Sequence, residues 1–335
     1  MVRIYILEGG AYSGGGEAMF QLGCDLLDRG YSVSLIDARK NPDELPPAKF
    51  DKYFEKGLRY CSLGELEDVS SNVVIVPESG TEYLLRFKKI KTMIYWLSYQ
   101  NYDGKMIWNS ASSLFGNICN IPRDCKRLAH FMKNVIKYKM IKYPIKHAVN
   151  LSGSHYATDE LQRRGVSSVP LVHSIGVDFL EAGMYDRTEG RDDVVLYNPA
   201  KPSRLMEKLI RRGRFNYVPI QSLSVRQMID LFRRSKVYVD FGNFPGPERL
   251  PKETVYNGVN VLVWALHAAK TDDVLIPDRY KLSVHVSPRD AEDMIGDMLN
   301  NYEAQNIDFE RFRDMVQDMQ SGYEVQLDQI CKTFL

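Results

Sequence analysis

Apolar positions along the chain fall into short unbroken runs that alternate with helix-period segments. Residues 2–7, 31–36, 72–76, 92–97 and 148–151 read as strands buried on both faces, as the strands of a parallel sheet are. Residues 17–29 carry Phe20, Leu22, Cys24, Leu26 and Leu27 and stop at Gly30, the signature of a helix after the first strand. A charged, nearly apolar-free run, 185–193, reads as a linker. Beyond it the alternation restarts with strand 194–197, helix 203–212, strand 215–218, helix 224–234, strand 237–241, helix 251–256 and strand 259–263. Ser203 and Ser224 stand where a helix start needs a side-chain acceptor, and Gly213 and Gly258 where a helix end needs a left-handed residue. Residues 308–333 read as one long helix or a broken pair. The expectation is an α/β protein with two separate parallel sheets.

Composition agrees and removes several function classes. A length of 335 residues suits two domains at roughly 100 to 200 residues each. Hydrophobic residues at 44% and charged residues at 26% are those of a globular protein. Lys plus Arg number 44 and Asp plus Glu 43, a net charge of +1, so no overall field marks a nucleic-acid binder. Apolar runs such as 261–266 fall far short of the roughly 18 residues that cross a bilayer, and the N-terminus lacks the apolar core of a signal peptide. The 5 cysteines form no CxxC pair, which points to reduced thiols and a cytoplasmic setting. The 6 histidines form no HxH or HxxxH pattern, and no DxD occurs, so the sequence offers no metal site.

Candidate chemistry collects in loops that follow strands. Glu8-Gly9-Gly10-Ala11-Tyr12-Ser13-Gly14-Gly15-Gly16 joins the first strand to the first helix, so backbone amides of Gly14, Gly15 and Gly16 can face an anion or a sugar. It lacks the Lys of a phosphate-binding NTPase loop, and Met19 stands where a dinucleotide fingerprint has Gly or Ala. Asp37 does end the second strand, where a ribose-binding acid lies in dinucleotide enzymes, so that reading and a plain tight turn both stay open. In the second half, Tyr238 to Glu253 runs from a strand end through Gly242, Asn243, Pro245 and Gly246 into a helix with Pro251 in its first turn. Exposed amides, Arg249 and the helix start suit a diphosphate, and Glu253 suits a ribose diol. Lys201, after the first strand of this half, can meet the same phosphates, and the strand end at Pro219 offers apolar surface for a flat base. The loop at 242–246 can also be structural only, and Lys201 a solvated turn lysine.

Other features are less specific. Residues 123–147 set Arg123, Lys126, Arg127, Lys133, Lys137, Lys139, Lys142 and Lys146 against the single acid Asp124, an amphipathic basic stretch fit for an anionic membrane surface or for plain solvation. Residues 95–103 end a strand with hydroxyl, amide and carboxylate groups that could border an acceptor, or Trp96 could simply fill the core. His155 and His173 precede the polar run without a partner in sequence.

The two glycine-bearing loops, 9–17 and 244–258, resemble the opening loop and the donor-binding loop and helix of the group 1 glycosyltransferases of bacterial surface polysaccharide synthesis. The likeness extends over nearly the whole chain. It implies the GT-B fold, two Rossmann-like domains facing each other across a cleft. The expected domains are 1–185 on the acceptor side, 186–307 for the donor, and a C-terminal helix 308–335 returning to the N-terminal domain. It implies a UDP- or GDP-sugar donor, no metal or other cofactor, and retention at the anomeric carbon. The expected acceptor is a glycan, lipid-linked or protein-linked, and the expected setting is cytoplasmic, at the inner face of a membrane where the basic stretch 123–147 docks. Lys201 and Arg249 match the cations on the donor diphosphate, Glu253 the ribose acid, and Gly15 and Gly16 the loop facing the donor. The family often has a Glu eight positions before its ribose acid; Pro245 stands there, with Glu248 displaced from it. An NAD-dependent oxidoreductase and a catalytically silent glycosyltransferase-like subunit are the alternatives.

Overall fold

A computed structural model describes residues 2–8, 14–38, 46–103, 142, 144–201 and 203–335. The chain divides into two compact units, Met1–Leu171 with Leu327–Leu335, and Val172–Gln326. In the first unit, strands β1 (Arg3–Glu8), β2 (Ser32–Asp37), β3 (Tyr60–Cys61), β4 (Val73–Pro77), β5 (Lys91–Trp96), β6 (Val149–Ser152) and β7 (Val169–Pro170) form one sheet in the order β3-β2-β1-β4-β5-β6-β7. Every pairing is parallel, with Leu7 opposite Ile36 and Ile6 opposite Ile75. Ile4, Ile6, Val74, Ile94 and Leu35 are wholly buried, which is why these segments read as unbroken apolar runs. The strand order reverses beside β1, so the loops after β1 and β4 flank the position where such sheets take ligands.

Helix α1 (Gly14–Asp28) starts inside the glycine triplet rather than at Glu17. First-turn N–H groups have no intrahelical acceptor, so the low helix propensity of glycine is least damaging there and its amides stay accessible. Residues 9–13 of that loop lie outside the described residues. So does the basic stretch 123–147, apart from 142 and 144–147. Among the described residues, no helix is long and apolar enough to cross a membrane.

The second unit holds β8 (Asp192–Tyr197), β9 (Asn216–Pro219), β10 (Ser235–Asp240), β11 (Asn260–Trp264) and β12 (Lys281–Leu282), all parallel, in the order β12-β11-β10-β8-β9. Its helices include α2 (Arg204–Arg212), α3 (Val225–Arg234), α4 (Arg249–Tyr256), α5 (Pro288–Asn300) and the start of α6 (Glu310–Phe334). The cap signals act as expected. Ser203 Oγ accepts from the Met206 amide at 3.1 Å, Ser224 and Gln227 form a reciprocal capping box, and Gly213 and Gly258 take φ of 62° and 81°. Arg191, from the polar run, is buried and donates to the carbonyls of Arg187, Phe232, Ser235 and Asn257. One guanidinium thereby satisfies chain ends that the strands and helices of this unit leave open.

Candidate functional site

In the second unit the strand order reverses between β8 and β10, because the chain places β9 on one side of β8 and β10 and β11 on the other. The loops leaving β8 and β10 therefore flank one crevice at the carboxyl ends of the strands, and these are the loops that carry Lys201 and residues 241–248. An Asx turn shapes the first: Asn198 Oδ1 accepts from the Ala200 amide at 3.0 Å, and the Asn198 carbonyl from the Lys201 amide at 3.3 Å. The second starts at Asp240, whose carboxylate is almost wholly buried. Its Oδ1 accepts from the Gly242 amide at 3.1 Å and its Oδ2 from the Tyr238 hydroxyl at 2.9 Å.

Lys201 joins the two loops. Its Nζ lies 3.2 Å from Asp240 Oδ2 and 2.7 Å from Glu248 Oε2, and 4.5 Å from the centre of the buried Phe244 ring. Burial works against this ammonium, but Asp240 and then Glu248 outweigh it and hold its pKa above the ordinary lysine value. Gly242 is needed for the close approach, since a Cβ there would sit 2.7 Å from Lys201 Cβ and 3.1 Å from Asp240 Oδ1. Burial raises the Glu248 carboxyl, against the pull of Lys201.

Helix α4 adds two more charges at i,i+4 spacing. Arg249 Nε donates to Glu253 Oε1 at 3.1 Å, and Glu253 is nearly buried. Gly176 lies so close to the Arg249 guanidinium that a Cβ there would collide with it. Lys252, 2% exposed, is pushed below the ordinary lysine value by burial, against the fields of Asp273 and Glu248. Tyr238, buried beneath Asp240, has its hydroxyl pushed well above the usual tyrosine value, first by burial and then by that carboxylate.

The structure thus brings Lys201, Gly242, Arg249 and Glu253 to one edge of one sheet. Asn243 is exposed and Gly246 buried in the same loop. Pro219 ends β9 opposite Tyr197, one strand beyond β8 at that edge. Gly14, Gly15 and Gly16 belong to the first unit, where they open α1. Asp240, Gly176 and Lys252 are the residues that sequence reasoning missed. Asp240 and Lys252 lie within the run 238–253, but only the fold shows that the first receives Lys201 and that the second is buried. Trp96 is core: it is 1% exposed and donates to Asn150 Oδ1 at 2.8 Å. His173 is buried with its ring 5.3 Å from that of Tyr323. Among the described residues, no three His, Cys, Asp or Glu side chains come together as a metal site needs.

No family model matches the sequence, and no curated protein matches it. Solved structures do resemble it in fold. Sucrose-phosphate synthase (tll1590) from Thermosynechococcus elongatus aligns over 99% of this chain and 98% of its own, with a TM-score of 0.58 and 11% identity. Anabaena Alr3699/HepE in complex with UDP-glucose aligns over 100% of both chains, with a TM-score of 0.65 and 8% identity. LpCGTa in complex with UDP aligns over 99% of both, with a TM-score of 0.58 and 10% identity. At such identities the likeness speaks for architecture, and with the two parallel sheets it shows that this chain has the GT-B fold of glycosyltransferases.

Proposed function

We propose that the protein is a glycosyltransferase that moves a sugar from a UDP- or GDP-sugar to a glycan, lipid-linked or protein-linked acceptor. The observation that carries this reading is the cluster of Lys201 and Arg249 at the switch point of the second sheet, on the loop and helix that follow β8 and β10. Two of the structurally similar proteins hold UDP-glucose and UDP, which supports a nucleotide-sugar donor here.

On this reading the donor diphosphate lies against Lys201, Arg249 and the amides of Asn243, Phe244 and Gly246, with Gly242 holding Asp240 beneath them. These groups stabilise the negative charge that grows on the leaving diphosphate as the glycosidic bond breaks, and they do so without a metal. Arg249 and Glu253 hold each other in place, so the acid that takes the ribose diol and the cation that takes the phosphate are set at a fixed spacing. Pro219, at the end of β9, borders the base. Transfer proceeds with retention at the anomeric carbon. The basic stretch 123–147 draws the enzyme to the anionic surface that carries its acceptor.

Thermal melting tests the donor reading. With EDTA present, a nucleoside diphosphate at about 100 times its dissociation constant is expected to stabilise the protein by roughly 2.7 kcal/mol, a rise of several degrees in Tm. A rise with NAD and none with UDP or GDP contradicts it and favours the oxidoreductase.

A further inference from the structure

The cations of the second-unit site already have partners before any diphosphate arrives. Lys201 is held between Asp240 and Glu248, and Arg249 is bonded to Glu253. The two carboxylates on Lys201 are not equivalent. Asp240 is 1% exposed, and the Tyr238 hydroxyl and the Gly242 amide also bind it, so it is fixed in the floor. Glu248 is 20% exposed and is the last residue before α4. It stands in the N-cap position, yet its side chain makes no cap bond there and turns to Lys201 instead. Of the two anions on the lysine, Glu248 is the one that can leave without opening the sheet end.

We propose that Glu248 occupies the place of the donor diphosphate on Lys201 in the ligand-free protein and leaves it, taking one proton from solvent, when a nucleotide-sugar binds. This rests on the donor reading above and goes beyond it in giving Glu248 a positioning and gating role. The charges facing Glu248 are Lys201 from the loop after β8, Asp240 at the end of β10, Lys252 on its own helix and, further off, the Tyr238 hydroxyl. Burial is the largest influence on Glu248 and already favours its neutral form; Lys201 is the main opposing one, and Asp240 adds to the burial effect. When the diphosphate takes Lys201, that opposition goes and two negative charges arrive, so the carboxyl gains a proton. Tyr238 is protonated throughout, as its raised value requires. Burial lowers the Lys252 value, so Lys252 is the other group here whose hold on a proton an arriving diphosphate would strengthen.

Titration calorimetry of UDP-glucose and GDP-mannose, in buffers of different ionisation heat between pH 6 and pH 8, reads the proton directly. A sugar-capped diphosphate has no second phosphate ionisation near neutrality to confuse the count. The wild-type protein should take up protons on binding, up to one per nucleotide-sugar, with affinity falling as pH rises by up to about tenfold per pH unit. Glu248→Gln should remove both the uptake and the pH dependence and bind more tightly at pH 8, while Glu248→Asp should restore the uptake. Each variant's melting curve reports that it is folded. Wild-type binding without proton uptake overturns the proposal. So does uptake that persists in Glu248→Gln, which assigns the proton to Lys252. Failure of both nucleotide-sugars to bind wild type and Glu248→Gln alike contradicts the donor reading itself, and the gate with it.

Discussion

Lys201→Met should destabilise the protein by about 3 to 5 kcal/mol, because it takes the shared cation from two carboxylates inside the protein. Met keeps the length and apolar stem of lysine, so the loss is electrostatic rather than a cavity. Asp240, 1% exposed, keeps the Tyr238 hydroxyl and the Gly242 amide, while Glu248 loses its 2.7 Å partner. The penalty depends on pH in a definite direction. Burial raises the folded-state pKa of Glu248, and removing Lys201 raises it further. A group with a raised folded pKa contributes stability below its unfolded pKa and loses it as pH rises through the folded value. The penalty should therefore be full at pH 8 and shrink toward pH 5. Urea unfolding of wild type and variant at those two pH values measures it. Equal stability at pH 8 would mean that the lysine is not the counter-charge of this cluster.

Arg249→Ala should lower turnover by on the order of 100-fold or more at saturating donor, since a preorganised charge at a developing anion is worth about 3 to 4 kcal/mol. Glu253→Gln should act mainly on the donor Michaelis constant, because a ribose contact is the same in ground and transition states. The 3.1 Å bond between the two side chains adds a condition. Losing Glu253 also loosens Arg249, so the double variant should turn over no more slowly than Arg249→Ala alone. Release of nucleoside diphosphate from the nucleotide-sugar, with and without acceptor, gives both constants. Turnover near wild type in Arg249→Ala removes this residue from the mechanism. Wild-type protein that binds the nucleotide-sugar and releases nothing is instead a catalytically silent partner subunit.

The alternation of strands and helices was legible because buried parallel strands leave unbroken apolar runs and helix ends leave Ser and Gly marks. Ser203, Ser224, Gly213 and Gly258 all stand where those marks placed them. Strands β3, β7 and β12 are two residues each and leave no period to read. Lys201 and Arg249 could be singled out from their positions after strands. What a linear reading could not reach is pairing across loops. Asp240 looks like an ordinary strand-end acid and Glu248 like a loop acid until the strand order places β8 beside β10 and brings Lys201 between them. Arg191 shows the same limit, a charge in a polar run that is buried by the carbonyls it satisfies.

A crystal structure with a bound UDP- or GDP-sugar would show whether the second unit holds a nucleotide-sugar by its diphosphate. The diphosphate should lie on Lys201 Nζ and the Arg249 guanidinium, with Glu248 moved off the lysine and the ribose diol on Glu253. A nucleotide seated instead at the glycine loop of the first unit, its ribose on Asp37 and Lys201 still paired to Glu248, would rule out the second-unit donor site.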